Sequence, residues 1–278
     1  MPKRALVVGL GGLRGAYDAG VLATLCRTLG PTYFDAIYAS SVGVFSATFY
    51  AAGQADVIEH TWRHRVDGTK LVNMFNVFKK RKVLDLAYLI DIFQREESYL
   101  DVERILHSHT KLIYVLTRYP SGEVAYQTPT HDNLFELMRG SAAMPFIHGP
   151  VRIHNDLFID GGLTDPVPVI KALEDGYEDI TLVYNKPAGF FVSRRYALSS
   201  LLMSLLLPRP IGRSLRNLKG LIEHIEMTTL ANPHISVIRP SAQIPIHSIL
   251  DADKARLNAT IDLGIADAKK YTEHLHSA

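Results

Sequence analysis

The sequence has little of what marks a secreted, disulfide-stabilised protein. It contains one cysteine, Cys26, so no intrachain disulfide can form, and this fits a reducing compartment. Cys26 lies in an apolar helical pattern, which predicts a buried structural thiol. No apolar segment with a small-residue cleavage site precedes the first strand pattern, so we see no signal peptide.

A long hydrophobic run is also missing, since no window reaches the roughly 20 apolar residues that span a bilayer. The nearest is residues 197–207, which stop at Pro208 and Pro210. We therefore expect a cytoplasmic protein that can meet a membrane only at its surface. Residues 197–207 are then either a lid or lipid-facing helix, or a buried core helix. The basic cluster at residues 79–82 either faces an anionic membrane or ends a solvated helix.

Neither sign of charge is in excess. The 30 Lys and Arg residues against 28 Asp and Glu give a net charge of +2, which is too small to indicate nucleic-acid binding. There is no repeat and no low-complexity tract. The chain has 278 residues, of which 47% are hydrophobic and 21% charged. The length and the lack of a strong linker predict a single domain over residues 1–278. Helical patterns within it predict a helical insert or lid at roughly 55–106 and a C-terminal helical part at roughly 190–278.

Apolar runs alternate with helical patterns, which is typical of a largely parallel sheet covered by helices. We predict the α/β class, as a three-layer αβα sandwich with a mostly parallel central sheet. The predicted strands are 5–9, 36–39, 111–117, 123–127, two between 151 and 160, 179–184 and 235–239. The predicted helices are 15–29, 42–52, most of 55–106, 133–141, 193–231 with a break at 208–212, and 249–276.

Three short motifs follow predicted strands, and strand ends are where loops of an open α/β sheet meet ligands. They are Gly11-Gly12-Leu13-Arg14-Gly15, Ala39-Ser40-Ser41-Val42-Gly43 and Asp160-Gly161-Gly162. A glycine-rich turn can supply backbone N–H donors, a serine a nucleophile and an aspartate a base. Together they predict a hydrolase centred on Ser41 and Asp160.

The Ser41 motif is close to the G-x-S-x-G elbow, which presents a serine at a tight strand-to-helix turn. Small residues are needed two positions before and after the serine, and here they are Ala39 and Gly43. The alternative is a small-residue turn that lets a helix pack on the sheet. Asp160 could accept the Ser41 proton directly, although an Asp-Gly-Gly sequence by itself is more often a plain turn.

Gly11 and Gly12 allow the backbone to approach an oxyanion, and the helix after them directs its positive end there. The alternative, a dinucleotide-binding turn, needs a third glycine where Arg14 stands. Arg14 is either structural or helps to hold an anionic substrate. A histidine-mediated triad would need His148 or His154, and nothing near either marks it as a base. The sequence also lacks an H-E-x-x-H motif and any clustered His/Cys set, so no metal site is indicated.

The three motifs in this order resemble the patatin-like phospholipase family, and within it the bacterial single-domain members. That family has a G-G-G-x-R/K-G loop, a G-x-S-x-G elbow and a D-G-G/A turn. Residues 16–22, 140–145, 163–168 and 238–240 are also similar to family segments, so the likeness spans nearly the whole chain. The chain departs from the pattern at Leu10 and Ala39, which replace the first glycine of the loop and of the elbow.

The resemblance implies a Ser–Asp dyad in which Ser41 is acylated and Asp160 acts as base. It implies an oxyanion hole and substrate contact at Gly11, Gly12, Leu13 and Arg14. The substrate would be an acyl ester of a lipid, as for a phospholipase A or a broader carboxylic ester hydrolase, with no metal or organic cofactor. Leu10 and Ala39 leave a second function open, that of a catalytically weak module that binds lipid or a partner protein.

Overall fold

The computed structural model describes residues 3–66, 85–95, 98–189 and 194–277. Its strands form one sheet in which hydrogen bonds link them in the succession β5-β6-β3-β2-β1-β7-β8, and β4 also pairs with β3. The strands are β1 (Arg4–Val8), β2 (Ala36–Ser40), β3 (Lys111–Tyr119), β4 (Val124–Gln127), β5 (Val151–Ile153), β6 (Asp156–Asp160), β7 (Asp179–Val183) and β8 (Ile235–Ile238). The pairs β1–β2, β1–β7, β2–β3 and β7–β8 are parallel. The predicted strands therefore all occur, and the mostly parallel α/β class is confirmed.

Helices cover both faces of this sheet. They are α1 (Gly15–Leu29), α2 (Gly43–Ala51), α3 (Ala55–His60), α4 (Leu86–Phe93), α5 (Val102–Leu106), α6 (Leu134–Ser141), α7 (Val169–Glu174), α8 (Arg194–Ser204), α9 (Arg209–Ala231) and α10 (Lys254–Ser277). A π-helical turn, Thr61–Arg65, follows α3. The described parts of the predicted insert are helical. The basic cluster at residues 79–82 lies outside the described residues.

Successive side chains of β1 point to opposite faces of the sheet, and this explains the three layers. Leu6 and Val8 pack on one face, in the same buried cluster as Tyr17 of α1. Ala5 and Val7 point to the other face, where they join Val169 and Ala172 of α7 and Ile225 of α9. A strand buried on both faces reads as a continuous apolar run, which is why residues 5–8 gave such a clear strand signal. Cys26 is buried, as predicted.

The prediction that the last helix starts at residue 249 is wrong, because α10 begins at Lys254. The Oδ1 of Asp253 accepts a hydrogen bond from the Arg256 amide at 2.9 Å, which is the bond that an N-cap aspartate makes. Asp251 accepts from the amides of His247 and Asp253, so residues 247–253 form a turn ahead of the helix. Ile249 therefore lies outside the helix, where its carbonyl oxygen accepts a hydrogen bond from the Leu13 amide.

The edges of β3 bring two distant strands end to end. Val115 pairs with Ser40 of β2 and, on its other edge, with Tyr126 of β4. Leu116 pairs with Ala125 of β4 and with Asp160 of β6. The strand β4 pairs with Val115 and Leu116 along one edge of β3. Therefore β2, which pairs with Val115, and β6, which pairs with Leu116, must both lie along the other edge. They approach from opposite directions and end beside each other, β2 at Ser40 and β6 at Asp160.

Candidate active site

Ser41 occupies a strained turn between β2 and α2. Its φ is +56°, in the left-handed region that non-glycine residues rarely adopt, and its side chain is 4% exposed. The turn forms with Ala39 in the preceding strand, where alanine is fully buried. At Gly43 a Cβ would lie 2.9 Å from the Gly9 carbonyl oxygen, so only glycine lets α2 start this close to β1. This is the local geometry that the elbow pattern predicts.

The hydroxyl of Ser41 donates a hydrogen bond to Oδ2 of Asp160 at 2.8 Å. The other carboxylate oxygen, Oδ1, accepts from the Gly162 amide, also at 2.8 Å. Gly161 lies between them without room for a side chain, because a Cβ there would be 2.1 Å from the Val115 carbonyl oxygen. The Asp-Gly-Gly sequence thus lets the chain turn directly against β3 while both carboxylate oxygens stay bonded.

Burial sets the electrostatics of Asp160. It raises the pKa of this carboxyl to about 6, while hydrogen bonds from the Gly162 amide and Ser41 act in the opposite direction. Asp165 is a useful comparison, since burial raises its pKa to about 6 as well. Its Oδ2 accepts from the Tyr126 hydroxyl at 2.8 Å, so it serves a different contact. Of these two buried acids, Asp160 is the one that is bonded to Ser41.

Ser141 supports the turn and was missed by the sequence reasoning. Its hydroxyl donates to the Val115 carbonyl at 2.7 Å and accepts from the Ser41 amide at 3.1 Å. One side chain at the end of α6 therefore ties the elbow to β3. The motif similarity covered residues 140–145, but nothing in that pattern indicated that Ser141 reaches back a hundred residues to the elbow.

The glycine loop lies against Ile249. Gly12 has φ +56°, and a Cβ on it would be 2.5 Å from the Ile249 carbonyl oxygen. That oxygen accepts from the Leu13 amide at 2.8 Å, and the Arg14 amide donates to the Gly11 carbonyl at 3.2 Å. Among the described residues, the amides of Gly11 and Gly12 donate to no protein acceptor. Of these two, Gly12 lines both cavities beside Ser41, whereas Gly11 is buried against Asn185.

Leu10, the departure from the family loop, has its amide bonded to the Pro166 carbonyl at 2.9 Å. Its side chain lies close to Gly162, where a Cβ would be 3.0 Å from Leu10 Cδ2. The leucine thus packs between the glycine loop and the Asp160 turn. The backbone amide at position 10 is already bonded in this fold, so having leucine there in place of glycine removes no free N–H donor.

A buried polar pair lies behind the loop. Asn185 Nδ2 donates to Asp18 Oδ2 at 2.8 Å, and a Cβ at Gly11 would be 2.3 Å from that same nitrogen. Burial raises the pKa of Asp18 to about 8, with the Asn185 hydrogen bond acting against it. Asn185 therefore packs directly against Gly11. The sequence patterns indicated neither Asp18 nor Asn185.

Two cavities meet at Ser41, and both are also lined by Gly12, Met144, Asp160 and Ile249. The narrow one, of about 60 Å³, is apolar and includes Phe45, Phe49, Trp62, Leu86, Leu89 and Phe93. The wide one, of about 510 Å³, reaches α8 and α9 and includes Arg14 and Lys186. An ester bond held at Ser41 would therefore have apolar walls on one side and two cations on the other.

The two histidines considered for a triad lie in other contacts. His148 Nδ1 is 2.6 Å from the Gly149 carbonyl oxygen, and His154 sits at the β5–β6 turn with φ +52°. In the described part of the chain, no three His, Cys, Asp or Glu side chains are grouped so as to hold a metal ion. Nor does any described helix combine the length and apolar character that crossing a membrane requires.

The fold and the site define an α/β protein in which a serine hydroxyl and a carboxylate are paired where two strands end. The chain belongs to the patatin-like phospholipase family, whose family model matches residues 6–173. The resemblance seen in the motifs is thereby confirmed. Membership of this family supports a lipid acyl hydrolase activity.

Two further similarities are more remote. The chain is 23% identical over 196 residues to the uncharacterized protein YjjU of Escherichia coli (strain K12), an alignment that covers 69% of this chain and 54% of YjjU. It thus spans about half the length of that curated relative. Among solved structures it is similar to VipD from Legionella pneumophila, with 13% identity, a TM-score of 0.48, and coverage of 97% of this chain and 67% of VipD.

Proposed function

We propose that this protein is a serine-dependent lipid acyl hydrolase of the phospholipase A or broader carboxylic ester type. Ser41 is the nucleophile and Asp160 the general base. The observation that carries the proposal is the 2.8 Å hydrogen bond from the Ser41 hydroxyl to Asp160. That distance lies within the range a general base needs to take a proton directly.

In the proposed reaction, Ser41 Oγ attacks the ester carbonyl carbon as its proton passes to Asp160 Oδ2. The negative charge that forms on the carbonyl oxygen is met by the Gly12 amide, helped by the N-terminal end of α1. Collapse of this intermediate breaks the bond to the alcohol oxygen, which takes the proton from Asp160. Water then attacks the acyl-serine carbonyl as its proton passes to Asp160. Collapse of this second intermediate breaks the bond to Ser41 Oγ, which takes the proton back from Asp160 and releases the carboxylic acid.

The strained backbone of Ser41 supports this assignment. Positive φ at a buried non-glycine residue costs of order 1–3 kcal/mol and persists where surrounding contacts enforce it. Here the positive φ of Ser41 is enforced by the hydrogen bond from its amide to Ser141 and by the close approach of Gly43 to the Gly9 carbonyl. A plain helix-packing turn has no need of such strain.

The proposed substrate reaches the site from a lipid surface. Six large apolar side chains around the end of α8 are 39–78% exposed, and we call them the apolar patch: Leu198, Leu201, Leu202, Met203, Leu205 and Leu206. Met203 also lines the wide cavity, so the patch is continuous with the route to Ser41. Arg209 and Arg213 are exposed just beyond it, which suits an anionic membrane. This favours the lipid-facing alternative for residues 197–207 over a buried core helix.

A fluorophosphonate probe tests the proposal. Wild type should be labelled and should hydrolyse a short-chain ester, and Ser41→Ala should do neither. Ser40→Ala is the matched control, because Ser40 is the neighbouring buried serine in β2 and has no bond to Asp160. If wild type is neither labelled nor active, the alternative of a catalytically weak lipid- or protein-binding module is the correct one.

A further inference from the structure

We propose that the turn over residues 247–253 is a positioning element of the active site, which through Ile249 holds the Gly12 amide where the oxyanion forms. The inference rests on the proposed function and deepens it. The turn lies outside residues 6–173, the part of the chain that the family model matches. None of the three motifs that point to the site includes it.

The glycine loop needs support from outside, because glycine loses more backbone freedom on folding than any other residue. Gly11 and Gly12 are consecutive, and Gly12 has φ +56°. An N–H group stabilises an oxyanion well because it is fixed in place before the reaction. Contacts from other segments must therefore hold this loop, and Asn185 supplies one of them by packing against Gly11.

Ile249 supplies a second contact, at Gly12. Its carbonyl oxygen accepts from the Leu13 amide at 2.8 Å, which fixes the peptide unit that follows Gly12. The same oxygen would lie 2.5 Å from a Cβ on Gly12, so the two backbones touch. Ile249 also lines both cavities, as do Ser41 and Asp160. The contact is thus made where the two cavities meet at the proposed nucleophile.

Asp251 braces the turn that carries Ile249. Its Oδ2 accepts from the His247 amide at 2.9 Å and its Oδ1 from the Asp253 amide at 3.3 Å, so one carboxylate joins both ends of the turn. Arg256, in the first turn of α10, holds that carboxylate through Nε at 2.9 Å and Nη2 at 2.7 Å. A bidentate pair of this kind fixes orientation as well as distance.

The ion pair is placed to set geometry and not to stabilise the whole fold. The Arg256 side chain is 38% exposed, and an ion pair with a solvent-exposed partner contributes little to the free energy of unfolding. Its removal should therefore loosen the turn and leave the melting temperature nearly unchanged. That difference separates a positioning role from a structural one.

Arg256→Ala tests the proposal with a soluble short-chain ester. We expect kcat to fall about tenfold or more and KM to change less than about twofold, because the Gly12 amide acts on a charge that develops only in the transition state. Arg256→Lys keeps the charge and should regain part of the lost kcat. Arg104→Ala is the control and should match wild type, since Arg104 forms a comparable pair with Asp101 at the start of α5 and lines neither cavity.

A double variant tests whether Asp251 and Arg256 act as one unit. Asp251→Ala should also lower kcat, and adding Arg256→Ala to it should cause no further loss, since the partner is already gone. If the two losses multiply, the residues act separately and the proposed brace is wrong.

Hydrogen exchange of the Leu13 amide tests the contact independently of activity. In Arg256→Ala this amide should exchange about tenfold faster than in wild type, and in Arg104→Ala at the wild-type rate. Unchanged exchange overturns the proposal, and so does faster exchange with an unchanged kcat. Faster exchange throughout the chain with a lower melting temperature would instead mark Arg256 as structural. An inactive wild type would refute the proposed function, and the exchange of Leu13 would still show whether the turn holds the loop.

Discussion

The Ser41 hydroxyl donates a hydrogen bond directly to the Asp160 carboxylate, with no histidine between them, although 119 positions of sequence separate the two residues. The second oxygen of Asp160 is held by the Gly162 amide, so the carboxylate cannot rotate away. The proposed serine–aspartate dyad has one group that titrates in this range, the aspartate, where a triad with histidine has two. Its behaviour with pH and on mutation is correspondingly simple to predict.

Hydrolysis should depend on a single ionisation near pH 6. The proposed base works as a carboxylate, and burial raises the pKa of Asp160 to about 6. We expect kcat/KM for a soluble ester to fall tenfold per pH unit below that value and to level off above it. Asp165 has a similarly raised pKa, so Asp165→Asn is the control and should leave the midpoint unchanged. A profile that stays flat down to pH 4 would rule out Asp160 as the base.

Asp160→Asn should lose turnover without losing the fold. Removal of a general base typically costs about 100- to 10,000-fold in rate. The pKa of Asp160 is higher in the folded chain than in the unfolded one, so ionisation costs stability above pH 6, and this cost is absent below about pH 4. At neutral pH the asparagine variant should melt no lower than wild type. A melting temperature several degrees lower would show that the carboxylate is needed for folding.

Gly161→Ala should destabilise the protein by about 3 kcal/mol, because its Cβ would lie 2.1 Å from the Val115 carbonyl oxygen. Denaturant unfolding measures the change. Gly149→Ala is the control, since nothing lies within 4 Å of a Cβ there, and its effect should be within about 0.5 kcal/mol of zero. Equal stabilities for the two variants would contradict the tight approach of the Asp160 turn to β3.

Binding to lipid vesicles should depend on the apolar patch. The double variant Leu202→Asp/Leu206→Asp removes two side chains that are 60% and 78% exposed and adds negative charge. We expect it to lose sedimentation with phosphatidylglycerol vesicles and to retain hydrolysis of a soluble ester. Leu275→Asp, at an exposed leucine near the end of α10, should bind as wild type does. If the double variant instead changes only the oligomeric state in gel filtration, the patch is a contact between copies of the chain.

The sequence predicted those features of the fold and the site that depend on local pattern. Buried strands such as residues 5–8 and the turns at Ser41 and Asp160 have their own signals, because apolar runs and small residues follow from near-neighbour geometry. What it did not predict depends on contacts between distant segments. Ser141, Asn185, Lys186 and Ile249 reach the site only because the sheet brings four separate stretches to one edge. Asp253 caps α10 and so moves Ile249 out of the predicted helix, a local signal that the helical periodicity concealed.

The meeting of β2 and β6 on one edge of β3 also has a consequence during synthesis. The residues of the elbow are all present once residues 36–51 have been made. The carboxylate that accepts the Ser41 hydrogen bond stands at the end of β6, and β3 lies between the two in the chain. Pairing of this kind forms late, because it closes long loops. A nascent or half-folded chain therefore carries Ser41 without its hydrogen-bond partner, and the pair forms only with the finished sheet.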